Sequence, residues 1–223
     1  MQRKFNFAPD EFYHVYNRGT EKRQIFLTEG DRLRFLVCLH VCNSKRVIHL
    51  SDWQGRPLPE MFDDEKIEDK ERLVDLGAYC LMPNHYHLLI KEREGFGISK
   101  FLLKLQTSYS MYFNKRNNRA GNLFEGKFKA QHASDDSYLK YLFAYIHLNP
   151  VKIHDSENWE KKLVPNPDQA KKFLNDYRFS SYQHYIGANR PEDVILNRAV
   201  FPDYFQKPGE FAVWIDDWAN YNE

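Results

Sequence analysis

Residues 73–82 and 85–91, LVDLGAYCLM and HYHLLIK, are two apolar, strand-like runs separated by only Pro83 and Asn84. Parallel strands need a crossover of a dozen or more residues, so two runs this close can pair only as an antiparallel hairpin with Pro83-Asn84 as its tight turn. Any fold for this chain has to be built around that hairpin.

The segments on either side supply the rest of a sheet and its helices. Phe12–Tyr16, FYHVY, reads as a first strand, with Asn17-Arg18-Gly19 as the turn that closes it. Leu33, Phe35, Leu36, Leu39 and Val41 recur at near-helical spacing and predict a helix over residues 30–46, and Val47–Leu50 reads as the start of another strand. Residues 51–72 are a Gly/Pro-punctuated, charge-rich excursion. From Ile98, the residues Phe101, Leu102, Leu105, Tyr109, Tyr112 and Phe113 form one apolar stripe on a helix of about five turns, stopped near Asn117, Asn118 and Gly121. LFEGKFKAQHA supplies a further strand. Ser134 is placed to cap a helix with Asp135 and Asp136 in its first turn, and Pro150 ends or bends that helix near Asn149.

This order predicts an α+β fold, a ferredoxin-like antiparallel sheet packed by helices. The expected organisation is a main domain over residues 1–152, with 51–72 as an insertion, followed by a C-terminal extension over 153–223 packed on it. The 223 residues, 42% hydrophobic, suffice for a core without staples. No apolar run approaches the roughly 18 residues of a membrane span, and no signal-like segment follows the first residues, so the expectation is a soluble, cytoplasmic protein with no membrane partner. Cys38 and Cys42 lack the second pair that a structural zinc site needs and read, with Cys80, as reduced thiols.

A net charge of +1 conceals two opposed regions. Residues 59–72 carry seven acids against three bases, whereas Lys100, Lys104, Lys115, Arg116, Arg119, Lys127 and Lys129 face only Glu125 between residues 98 and 133. The basic stretch, with Tyr and Phe interleaved, suits a phosphate backbone and unpaired bases.

On a strand, alternate side chains share a face, so His85 and His87 project together while Tyr86 points away. Their backbones are about 6.6 Å apart, a gap that two imidazoles close by converging on one ion at about 2.1 Å. A packed pair of histidines has the same spelling, and the two readings stay open on these residues alone. Tyr145 alone likewise reads as a core tyrosine and Asn149 as a helix-terminal cap. One helical turn separates them, so both can face one point. His147 has the chemistry of a ligand, but its two-residue offset from Tyr145 aims it elsewhere on a regular helix.

The segments PNHYHLL, GNLFEGKFKA and AYIHLNPVK, in that order, resemble the IS200-like single-tyrosine transposases, including their REP-associated relatives. The likeness runs over about residues 11–152, with more in DYRFSSYQHYIG. It implies that His85-Tyr86-His87 is the family's metal-binding histidine pair, that Tyr145 is the nucleophile and that Asn149 is the polar third ligand. It implies a metal-dependent endonuclease and strand transferase, using Mg²⁺ or Mn²⁺, that acts on single-stranded DNA beside a hairpin through a 5′-phosphotyrosine intermediate. Some relatives act as homodimers and others as monomers, and this sequence does not choose. Arg18, Lys115, Arg116, Arg119, Lys127 and Lys129 are the expected DNA contacts. A noncatalytic, domesticated DNA-binding relative and a phosphodiesterase that uses water are the alternatives.

Overall fold

The computed structural model describes residues 6–50, 57–64, 66–202, 213–214 and 217–218. Four strands, β1 (Phe12–Arg18), β2 (Val74–Met82), β3 (His85–Glu92) and β4 (Lys129–His132), form one sheet in the order β2-β3-β1-β4, with every neighbouring pair antiparallel. The expected hairpin is there: Met82 pairs with His85 across Pro83 and Asn84. With α1 (Glu29–Val41) after β1 and α3 (Gly97–Arg116) after β3, the order is strand, helix, two strands, helix, strand, as in the ferredoxin-like arrangement. The short α2 (Glu60–Asp64) lies in the described part of the acidic excursion.

α1 begins with a reciprocal cap. Thr28 accepts a bond from the Asp31 N–H, and the Asp31 carboxylate accepts from Thr28 and Leu27 N–H at 2.9 Å each. α3 has no cap from its own first residues. The buried Glu92, at the end of β3, instead accepts from Gly97 and Ile98 N–H at 3.0 Å. Both helices cover the face of the sheet that bears Tyr86, whose ring lies against Phe35 and whose hydroxyl accepts from Gln106.

α4 (Asp136–Leu148) covers the other face, packing on β2 and β3. Beyond it come α5 (Val151–His154), α6 (Ser156–Glu160), α7 (Pro167–Asp176) and α8 (Tyr182–Tyr185). Residues 179–181 run along the outer edge of β2, with Phe179 C=O accepting from Leu81 N–H and Ser181 N–H donating to Tyr79 C=O, both at 2.9 Å. All three cysteines are buried and free.

Three local expectations are corrected. Val47–Leu50 forms no strand: Val47 is 75% exposed, and neither edge of the sheet reaches these residues. α4 is capped by Asp135, not Ser134, because Asp135 takes the extended conformation and its carboxylate accepts from Tyr138 N–H at 2.9 Å. Asn17-Arg18-Gly19 is not a turn, since β1 continues through Arg18 and Gly19 bridges to Phe124. Gly19 is required there by close approach, as a Cβ would stand 2.3 Å from the Arg23 carbonyl oxygen. Among the described residues no helix is long and apolar enough to cross a membrane.

Candidate active site

Strand register decides which side chains meet. Tyr16 pairs with His87 and with Lys129, Arg18 with His85, and His14 with Leu89 and Gln131. Directly paired residues share a face, so His14, Tyr16, Arg18, His85, His87, Lys129 and Gln131 all point toward the α4 layer.

The His85 and His87 rings stand 4.9 Å apart, nearly perpendicular. His85 Nδ1 contacts Asn84 Oδ1 at 2.6 Å, and His87 Nδ1 contacts His14 Nε2 at 2.8 Å. His87 Nε2 is buried without a hydrogen-bond partner among the described residues. Burial, with Lys152 and Arg18 nearby, pushes His85 down to about 4, and burial with His14, His85 and Lys152 pushes His87 well below its ordinary value. Both imidazoles are therefore neutral near pH 7, the form that binds metal.

α4 brings the expected tyrosine to these rings within the same chain. The Tyr145 ring is 5.3 Å from that of His87 and 5.7 Å from that of His14, edge-on to both. Burial raises its pKa, while a hydrogen bond with Asn149 pulls the other way. Asn149 is 1% exposed, and its Oδ1 has no partner among the described residues. Pro150 does not distort Asn149 as Pro-preceding residues tend to be: its φ of −51° and ψ of −36° keep it on the helical path. The one-turn offset from Tyr145 is thus preserved. His147 does point elsewhere, bonding Phe143 C=O through Nδ1 at 3.0 Å and Ser181 Oγ through Nε2 at 2.7 Å.

Two buried atoms without a partner among the described residues, His87 Nε2 and Asn149 Oδ1, border one tyrosine. An unpartnered buried acceptor is unfavourable, and a divalent cation relieves two at once. The residues thus fit an ion, with His85, His87 and Asn149 as the donors. Among the described residues no cluster of three or more His, Cys, Asp or Glu has a metal-holding arrangement.

The basic residues divide. Arg18 and Lys129 sit on the histidine face, but Arg18 is ion-paired with Glu125. Lys127 is exposed just before β4. Lys115 and Arg116 lie on α3, in the layer against the opposite face, where Arg116 contacts the Tyr112 hydroxyl and Asp31. Arg119 lies just beyond α3, bonded to Asn114 at 2.7 Å. The structure brings none of these three to the histidines. It adds two residues that sequence reading passed over, His14 and Lys152. The alternation in FYHVY already put His14 and Tyr16 on one face, and Lys152 is one turn beyond Asn149, its N–H bonded to the Asn149 carbonyl.

Residues 40–149 match a family model described as "Transposase IS200 like". This segment is a distant homologue of the IS200-like tyrosine transposases. The matched stretch contains His85, His87 and Tyr145 and ends on Asn149. The chain is similar to the structure of a REP-associated tyrosine transposase bound to a REP hairpin, at 16% identity and a TM-score of 0.48 over 95% of this chain and 92% of that one. It is also similar to a tRNA(His) guanylyltransferase from Saccharomyces cerevisiae, at 11% identity and a TM-score of 0.36 over 93% and 87%. No curated protein matches.

Proposed function

We propose that this protein nicks and rejoins single-stranded DNA beside hairpins, with Tyr145 as the nucleophile and His85, His87 and Asn149 as holders of a Mg²⁺ or Mn²⁺ ion. The observation that carries this is the tyrosine ring 5.3 Å from that of His87, beside two buried side-chain atoms, His87 Nε2 and Asn149 Oδ1, that no described residue satisfies. The distant homology over residues 40–149 supports it independently.

When bound, the ion polarises the phosphodiester and offsets charge developing on its oxygens. Tyr145 is held between His87, His14, Tyr141 and Trp159, which fixes the direction of its hydroxyl. Burial keeps the phenol protonated at neutral pH, so it gives up its proton as it attacks, and Asn149 favours the phenolate that results. Attack on phosphorus forms a 5′-phosphotyrosine bond and breaks the bond to the 3′-oxygen, which leaves with a proton as a 3′-hydroxyl. Another strand's 3′-hydroxyl reverses the step. Lys129, and Lys152 beside the imidazoles, give the strand's phosphates a basic border.

The test incubates wild type and Tyr145→Phe with labelled hairpin-bearing single-stranded DNA and Mn²⁺ or Mg²⁺, and resolves adducts on denaturing gels. Wild type forms a covalent adduct and the variant does not. Cleavage without an adduct in both proteins would establish the water-using phosphodiesterase instead, and binding without cleavage the noncatalytic module.

A further inference from the structure

The histidine pair is wired to a third histidine that neither the motif nor the proposed chemistry includes. His14 is 4% exposed, one strand over from His87 and diagonal to it in the register, and the two rings stack at 5.0 Å with 20° between their planes. The short contact joins His14 Nε2 to His87 Nδ1 at 2.8 Å. One of these two nitrogens carries the proton, and which one it is fixes the character of His87 Nε2.

Two features point to one direction. His14 Nδ1 lies 3.4 Å from Gln131 Oε1, an oxygen that also accepts from the Tyr138 hydroxyl at 3.3 Å. An oxygen acceptor there calls for a proton on His14 Nδ1, which leaves His14 Nε2 as a lone pair. His87 Nδ1 then donates, and His87 Nε2 keeps its electron pair. The second observation concerns cost. His87 Nε2 is buried without a partner, and a stranded N–H there is less tolerable than a stranded lone pair.

We infer that His14, braced by Gln131, is a positioning residue that holds His87 as the Nδ1–H tautomer and so turns the Nε2 lone pair toward Tyr145 and Asn149. The inference rests on the metal-binding reading for its purpose, while the tautomer itself is a property of the protein alone. The chain of bonds runs Tyr138 to Gln131, Gln131 to His14, and His14 to His87. It links the first turn of α4 to the imidazole that faces the tyrosine two turns further along the same helix.

The test reads the tautomer directly, in metal-free protein labelled with ¹⁵N-histidine, by long-range ¹H–¹⁵N correlation near pH 7.5. Wild-type His87 shows a protonated Nδ1 and an unprotonated Nε2. His14→Phe shifts His87 to a mixture of the two forms and weakens Mn²⁺ binding, measured by titration calorimetry, by about 10- to 100-fold. His14→Gln, whose amide oxygen can accept the same bond, restores the single tautomer and most of the affinity. Gln131→Leu produces the same shifts in smaller measure. If His14→Phe fails to fold, His14→Gln and Gln131→Leu decide. A wild-type His87 protonated on Nε2, or a tautomer indifferent to His14, overturns the inference and leaves Mn²⁺ binding to be judged separately. A responsive tautomer in a wild-type protein that binds no Mn²⁺ leaves the wiring in place and removes the metal reading.

Discussion

His87 and His147 are both buried, on the sheet and on the helix that packs across it, and burial pushes both below the ordinary histidine value. They differ in what their nitrogens meet. His147 is committed at both, to Phe143 C=O and Ser181 Oγ, and its ring stacks at 5.4 Å on Trp214. His87 is committed at one and left open at the other. A buried histidine with two partners is a structural fastener, whereas one with a single partner beside a tyrosine is a site awaiting something. Burial and a displaced pKa do not separate His87 from His147, whereas their hydrogen-bond partners do.

The largest expected effect breaks the open side of this comparison. His87→Ala lowers the folded fraction's metal-dependent adduct formation by on the order of 10²-fold or more, and costs about 1–3 kcal/mol of stability because the buried His14 Nε2 loses its partner. Gel-resolved adduct rates and thermal unfolding check the pair of outcomes. His147→Leu costs stability alone. It removes the buried bonds to Phe143 C=O and Ser181 Oγ, the latter keeping its bonds with Tyr79, and costs about 1–3 kcal/mol in urea unfolding, while the folded fraction keeps its Mn²⁺ affinity.

Acid sharpens the same contrast. His147 is held down to about 3 in the folded chain against 6.5 as its ordinary value. Between these values the unfolded chain binds a proton that the folded chain refuses, so the stability His147 contributes is whole above pH 6.5 and is lost as pH falls toward 3. Unfolding free energies at pH 6 and pH 4.5 fall by about 1.4 kcal/mol per pH unit on account of this group. In His147→Gln the slope is shallower by that amount. The smallest effect concerns the basic border. Lys129→Ala weakens binding of single-stranded DNA a few-fold and lowers the log–log salt slope by about 0.7, while Lys115→Ala, on the far layer, moves neither.

Legibility followed periodicity. The hairpin around Pro83-Asn84 and the stripe from Phe101 to Phe113 were readable because long runs with a fixed period have few alternative burials. Val47–Leu50 misled because a short β-branched run spells a strand whether or not an edge is free to receive it. Ser134 and Asp135 are both good caps, and only the backbone angles chose between them. Within the candidate site, His85, His87, Tyr145 and Asn149 were visible as a pattern, and the structure brings His87, Tyr145 and Asn149 together. His14 was not, because its meaning lies in a cross-strand diagonal that no local spacing encodes. The basic cluster failed to hold together for the opposite reason: neighbours in sequence were divided between two layers.

Residues 179–181 have a consequence beyond fastening. Without them β2 would offer the unpaired Tyr79 carbonyl and Leu81 amide to any extended chain nearby, and Lys or Pro guards are missing from Val74–Met82. The tail thus shields this end of the edge, and Ser181→Pro, which removes the amide that bonds Tyr79 C=O, should raise the protein's tendency to aggregate in light scattering.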